Sequence, residues 1–172
     1  MSADDGAAIE ERVRTRLAAL GVEYETIACD PDFADTAEFC ARYGIAPEQS
    51  ANTIVVAARK EPRVACACVV LAPCRLDVNH AVCHLLGVRK ASFAAADQTR
   101  DLTGMMIGGV TPFGLPDDLP LYIDARVMTQ DSVVIGGGSR SMKIRLAPTG
   151  LLQLPAALVI DGLATVVEAP TA

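Results

Sequence analysis

Two β-rich runs, Asn52 to Ala58 and Arg63 to Leu71, flank one turn-forming tripeptide, Lys60-Glu61-Pro62. Each run is apolar at nearly every position rather than at alternate ones, so neither presents a face suited to water. The pair therefore reads as an antiparallel hairpin buried on both faces at the centre of a sheet. The rest of the 172-residue chain must supply the covering layers, and that length suits one domain, 1–172, around one core. Half of the residues are hydrophobic, enough for a core without disulfides or metal. Aromatics make up only 4% and tryptophan is absent, so the core must be built from Val, Leu, Ile and Ala.

The covering elements are legible on either side of the hairpin. Ile9, Val13, Leu17 and Leu20 recur at helical spacing in the segment 3–20, which Gly21 ends. Residues 22–28 alternate as a strand does. Asp35-x-x-Glu38 has the form of a capping box and opens a short helix that stops at Gly44. Asp77 caps a helix running to Leu86 and closed by Gly87, and a second short helix covers 94–102. A short strand follows at 121–124. Residues 132–135 and 143–146 form a second hairpin, Pro148 opens a closing helix, and the last ten residues read as a loosely held tail. Hairpins interleaved with helices indicate an α+β fold with a mostly antiparallel sheet. No strand, glycine loop and helix follow one another at dinucleotide spacing, which argues against a Rossmann arrangement.

The formal net charge is −6, so the chain exerts no global attraction on nucleic acid, and any RNA contact needs a local basic patch. Three clusters qualify: Arg59, Lys60 and Arg63; Arg89 and Lys90; and Arg140, Lys143 and Arg145. Each is equally read as solvated surface charge. The acidic N-terminus has no secretory h-region, and no apolar run reaches the ~18 residues of a membrane span. The six cysteines then read as reduced thiols of a cytoplasmic protein.

The densest unusual chemistry is Gly108-Gly109-Val110-Thr111-Pro112-Phe113-Gly114. Paired glycines open conformations closed to other residues and let N–H groups approach a ligand without an intervening Cβ. Such a loop can present amides to a carboxylate, phosphate or carbonyl oxygen, or it can be a tight connection between strands. Gly136-Gly137-Gly138, before Ser139 and Arg140, reads either as a hairpin turn or as a second pocket wall. His80 and His84 share a helix face, and Cys66 and Cys68 share a strand face. Together with Cys83 they make a conceivable zinc set, but their spacing matches no standard pattern and buried cysteine is commonly a small hydrophobe. The expectation is no metal and no cofactor.

At these residues the chain resembles the YbaK-like family, which contains bacterial Cys-tRNA(Pro) deacylase and the prolyl-tRNA synthetase editing domain. The resemblance rests on Leu102-Thr103-Gly104, the loop 108–114, Leu119-Pro120 and Ile123-Asp124. Leu20-Gly21-Val22, Ala37-Glu38, Gly44-Ile45, Leu76-Asp77, Leu85-Leu86-Gly87 and Gly138 to Arg140 agree in order and spacing, over residues of about 10–163. The resemblance implies a mixed, mainly antiparallel, barrel-like sheet flanked by helices. It implies hydrolysis of the ester that joins a wrong amino acid to the tRNA 3′ end, with the acceptor end of tRNA as partner and without metal, DNA or membrane. By the same resemblance Gly108 and Gly109 serve catalysis. Thr53, Val110, Thr111, Pro112, Gly138 and Arg140 contact substrate, and Asp124 gives structural support.

The chain departs from the family where a lysine opens the strand after the second helix: the usual Lys-Thr-Leu is Asn52-Thr53-Ile54 here. Asn52 takes the catalytic position, and an amide hydrogen-bonds without supplying positive charge. Lys60 lies eight residues further on, about 26 Å along an extended strand. Three functions follow as alternatives: an aminoacyl-tRNA deacylase, a catalytically degenerate module that binds a small molecule or protein, and a metal or redox protein using the cysteine and histidine set. The oligomeric state stays open.

Overall fold

A computed structural model describes residues 3–167. Helix α1 (Ala3–Ala19) lays Ile9, Val13 and Leu17 into the main core, one residue per turn, and Gly21 continues past its end in the left-handed region. Strand β1 (Tyr24–Ala28) leads to α2 (Thr36–Tyr43), which Gly44 ends in a left-handed conformation. Asp35 holds the cap position of α2, but its carboxylate accepts from Arg140 rather than from a helix N–H. The capping box is thus present in sequence and diverted by tertiary charge.

Strands β2 (Ala51–Ala58) and β3 (Ala65–Leu71) form the expected antiparallel hairpin, with Asn52 opposite Val70 and Ala57 opposite Ala65. The two-sided burial follows strand alternation on β3. Ala67, Val69 and Leu71 enter the core under α1, while Cys66, Cys68 and Val70 enter a second core on the opposite face. That second core is closed by β4 (Cys74–Leu76), a π-type turn (Val78–Val82) and α3 (Cys83–Leu86). Asp77 starts the turn by accepting from the His80 N–H at 3.0 Å. Then follow β5 (Ala91–Phe93), α4 (Ala96–Thr103), β6 (Leu121–Asp124), β7 (Val133–Gly136) and β8 (Met142–Leu146).

The chain beyond β8 differs from the sequence reading. Pro148 opens a six-residue 3-10 helix, Pro148–Gln153, after which β9 (Ala157–Ile160) pairs in parallel with β6. A four-residue apolar run carries too little periodicity to be recognised alone. The loosely held tail is also corrected: Leu163 is fully buried, and β10 (Ala164–Val166) pairs with β4. Residues 168–172 of that expected tail lie outside the described residues.

The strands form a sheet of order β5-β2-β3-β6-β9, a sheet β1-β8-β7 and a pair β10-β4. Among the described residues five of the seven strand pairings are antiparallel, as an α+β, mainly antiparallel reading requires. The barrel-like expectation needs one correction, because the sheets do not close. A lone bridge, Ser50 to Val134, joins β2 to β7. Past that bridge residues of α2 and of the loop 104–114 stand between the two sheets, and a cleft opens there.

Asp124 ties the C-terminal segment to the five-stranded sheet. It is fully buried and accepts from the Ala164 N–H at 2.9 Å, the Arg126 N–H at 3.0 Å and the Arg126 guanidinium. Replacing Asp124 with Ala leaves the buried Ala164 N–H without its acceptor, which costs about 1–3 kcal/mol. The expected result is a lower urea midpoint; an unchanged midpoint would show that pairing with β4 and apolar contacts hold β10 without Asp124.

Candidate active site

The cleft between the sheets has a volume of about 260 Å³. This is smaller than the ~300–1,000 Å³ of sites for drug-sized ligands. One wall is β2, from Ser50 to Val55; another is Val134 to Gly136 of β7; Ala34 to Phe39 cover one end; and Gly108 and Val110 form the floor of the loop. Phe93 and Ile107 also line it and are more than half exposed, so they form an apolar mouth.

The two glycine runs meet face to face. A Cβ on Gly109 would stand 2.6 Å from the backbone of Ser139, and one on Gly136 would stand 2.2 Å from the carbonyl oxygen of Val110. These distances are too short for any side chain, and backbone cannot yield as a side-chain tip can. Gly138 donates its N–H to the Gly109 carbonyl at 2.8 Å, and the Gly109 N–H donates to Met106. The second run is therefore more than a turn: it is the surface on which the first run is seated. Gly108 needs its left-handed φ of 90° to enter this contact.

Lys143 is the unexpected member of the site. It is 8% exposed, lines the cleft, and donates from Nζ to the carbonyl oxygens of Gly108 at 2.7 Å and Ala34 at 2.8 Å. Nζ also lies 5.4 Å from the centre of the Phe39 ring, within cation–π range. Burial lowers its pKa from the usual lysine value, and Arg140 adds to that, while Cys29, Asp35 and Cys40 act in the opposite direction. The sequence placed Lys143 only in a basic surface cluster. In β8 it stands between Met142 and Ile144, so alternation assigns it, with Arg145, to the polar outer face. Arg145 is indeed partly exposed and faces Glu25. Lys143 is enclosed because α2 and the glycine loop cover that face locally.

Of the residues singled out from sequence, Asn52, Thr53, Gly108 and Val110 come together in the cleft wall. The Asn52 side-chain oxygen accepts from the Thr36 hydroxyl, which leaves the amide NH2 as the group available to a ligand. The Thr53 hydroxyl oxygen is buried and has no hydrogen-bond partner. Gly109, Thr111 and Pro112 are buried behind the lining, and Gly138 packs on Ile9 of α1. Arg140 stands outside the lining: its guanidinium bonds Pro31 O, Asp35 and Ile107 O, clasping the start of α2 to the glycine loop. Asp124 lies away from the cleft, at the end of β6. His80 and His84 are exposed while Cys83 is buried, so the three do not converge. Among the described residues no group of three or more His, Cys, Asp or Glu is arranged to hold a metal. No described helix is long and apolar enough to cross a membrane.

The class of protein to which this fold and cleft belong follows from comparison with known proteins. The sequence profile of the aminoacyl-tRNA editing domain matches residues 30–154, and the chain belongs to this YbaK-like family. Over 68 residues it is 28% identical to "Putative Cys-tRNA(Pro)/Cys-tRNA(Cys) deacylase EbsC" of Enterococcus faecalis, covering 40% of this chain and 42% of that protein. Over 62 residues it is 37% identical to "Uncharacterized protein YwhH" of Bacillus subtilis, covering 36% and 40%. These matches span about two fifths of either relative's length. The fold also resembles the crystal structure of "a putative trans-editing enzyme for prolyl tRNA synthetase", with a TM-score of 0.75 and 27% identity over 88% of this chain and 94% of that one. The structure of hypothetical protein APE2540, at 24% identity, shares the fold with a TM-score of 0.79 over 90% and 99%.

Two outcomes follow from this packing. Gly136→Ala is expected to cost about 1–3 kcal/mol in urea unfolding, because the new methyl meets backbone. Gly114→Ala is expected to cost less, since its nearest neighbour is the flexible end of Met105. Equal losses would mean that the glycine crossing has slack. For Lys143, the unfolded chain holds more protons than the folded one between the lowered folded pKa and the ordinary value of 10.5. Wild-type stability should therefore rise relative to Lys143→Met as pH climbs through that window. A stability difference that is flat with pH would contradict the burial of a charged ammonium.

Proposed function

We propose that the protein is an aminoacyl-tRNA deacylase that hydrolyses the ester of mischarged tRNA, of the Cys-tRNA(Pro) or Ala-tRNA(Pro) type. The observation that carries this reading is the small cleft at the glycine loop in a chain of the editing family. Its size suits an aminoacyl group and its exposed apolar mouth suits the terminal nucleoside, whose base would rest on Phe93. Gly108 and Val110 would shape the acyl pocket with Asn52 and Thr53 opposite, the Asn52 NH2 donating to a substrate oxygen. Gly109, Thr111, Pro112, Gly138 and Arg140 would act through the loop by holding it in place. The editing unit would comprise residues of about 10–163, work in the cytoplasm and need no cofactor.

A second reading is supported by the neutral Asn52 and by the net charge of −6: a binding module that keeps the cleft without turnover. One experiment separates the two. Single-turnover assays would use Cys-tRNA(Pro) and Ala-tRNA(Pro), enzyme in excess, with Asn52→Lys alongside. The expected outcome is hydrolysis by the wild type well above the spontaneous rate. Failure of the wild type across the panel, with or without rescue by Asn52→Lys, would favour the binding module.

A further inference from the structure

Lys143 presents a charge that the protein itself leaves unbalanced. Its ammonium has three donors, and carbonyl oxygens of Ala34 and Gly108 take two of them. Among the described residues no carboxylate forms an ion pair with it, and the nearby Asp35 carboxylate is engaged by Arg140. Both carbonyls and the Phe39 ring soften the cost of burial, but none carries a compensating charge. The cost is borne at the wall of the cleft, beside the glycine loop and in the same lining as the unpartnered Thr53 hydroxyl. A buried cation with a spare donor, next to a space open to a ligand, is completed by an anionic oxygen brought by that ligand.

We propose that Lys143 receives this oxygen and, on the deacylase reading given above, that it is the scissile carbonyl oxygen as it becomes an oxyanion. Water attacks the ester carbonyl carbon, and the carbonyl π pair moves onto the oxygen facing Nζ. The tetrahedral intermediate then collapses. The acyl carbon–ribose oxygen bond breaks, and the proton lost by the water ends on the leaving ribose hydroxyl, giving free amino acid and intact tRNA. Lys143 donates a hydrogen bond throughout and keeps its proton. It reaches the cleft from β8, a different sheet from the one that carries Asn52, so the positive charge of this site comes from the β7–β8 hairpin. Its bonds to Gly108 O and Ala34 O hold Nζ in place at the cleft wall, as a preorganised donor requires.

The test compares wild type, Lys143→Met and, as a surface control, Lys60→Met in single-turnover deacylation, separating the chemical rate from the Kd for aminoacyl-tRNA. Loss of one oxyanion donor is worth about 10²–10³-fold. The expected result is a fall of that size in the chemical rate for Lys143→Met, with Kd little changed and Lys60→Met like wild type. A folded Lys143→Met within about threefold of wild type overturns the proposal. A second measurement covers a variant that does not fold, and a wild type that hydrolyses nothing, in which case the deacylase reading fails on its own. The chain has three lysines, Lys60, Lys90 and Lys143. Cε-labelled lysine therefore gives three NMR signals, assigned by Lys60→Met and Lys90→Met. Acetate and inorganic phosphate are titrated against chloride at constant ionic strength. A saturable shift of the Lys143 signal alone supports an anion site there, and its preference for carboxylate or phosphate names the source. No shift with either anion overturns it.

Discussion

Backbone packs directly on backbone where residues 108–110 cross residues 136–139, and the remaining architecture is arranged around that crossing. A Cβ on Gly109 or Gly136 would fall inside the van der Waals shell of the opposing main chain. The contact locks the loop between α4 and β6 to the β7–β8 hairpin, with the Gly138 N–H to Gly109 O bond at its centre. From the hairpin side, Arg140 and Lys143 then reach over to the loop and to the start of α2. Three segments distant in sequence are thus held by main-chain geometry first and by charged side chains second. This order gives rigidity, because close-packed backbone has no rotamers in which to relax.

The cleft is a consequence of the same crossing. Sheets that could have continued into one another are joined by a lone bridge at Ser50 and Val134, and the loop and α2 stand in the remaining gap. The gap is lined mostly by apolar side chains, among them Phe39, Val55, Val110 and Ile135, with a few hydroxyls, the Asn52 amide, the Asp35 carboxylate and the Lys143 ammonium, so it is polar at few, fixed points. A site of this kind favours positioning over bulk affinity. A low-dielectric wall also makes the single positive charge count for more than it would at the surface. Arg140, by contrast, spends its guanidinium on holding segments together, at the edge of the site rather than within it.

The sheet core was largely legible from residue pattern. The continuous apolar runs of β2 and β3 required two-sided burial, and both faces of β3 are filled as that pattern demands. Gly21, Gly44 and Gly87 marked helix ends because the left-handed region is open to glycine at low cost. The strands β9 and β10 were missed because runs of four and three residues have no distinctive period, and their pairing partners, β6 and β4, lie far away in sequence. Asp35 kept its cap position but lost its cap bond, since a guanidinium 105 residues away competes better for the carboxylate than a helix N–H does. The Cys66, Cys68, Cys83, His80 and His84 set dispersed for an equally simple reason: the thiols face a core and the imidazoles face water.

By itself the sequence determined the class of fold, the central hairpin, the membership of the editing family and the glycine loop as the place to look. Those features are encoded in short-range pattern, where periodicity, turn residues and motif spacing act within a few residues. What only the tertiary structure decided is the electrostatic character of the site. Strand alternation sends Lys143 to the outer face of β8 with Arg145, and nothing near it in sequence says otherwise. It becomes a buried cation because Ala34, 109 residues away, and Gly108, 35 residues away, fold over it and offer their carbonyl oxygens. Burial is a property of what covers a residue, and the cover here comes from parts of the chain that meet only in the folded state.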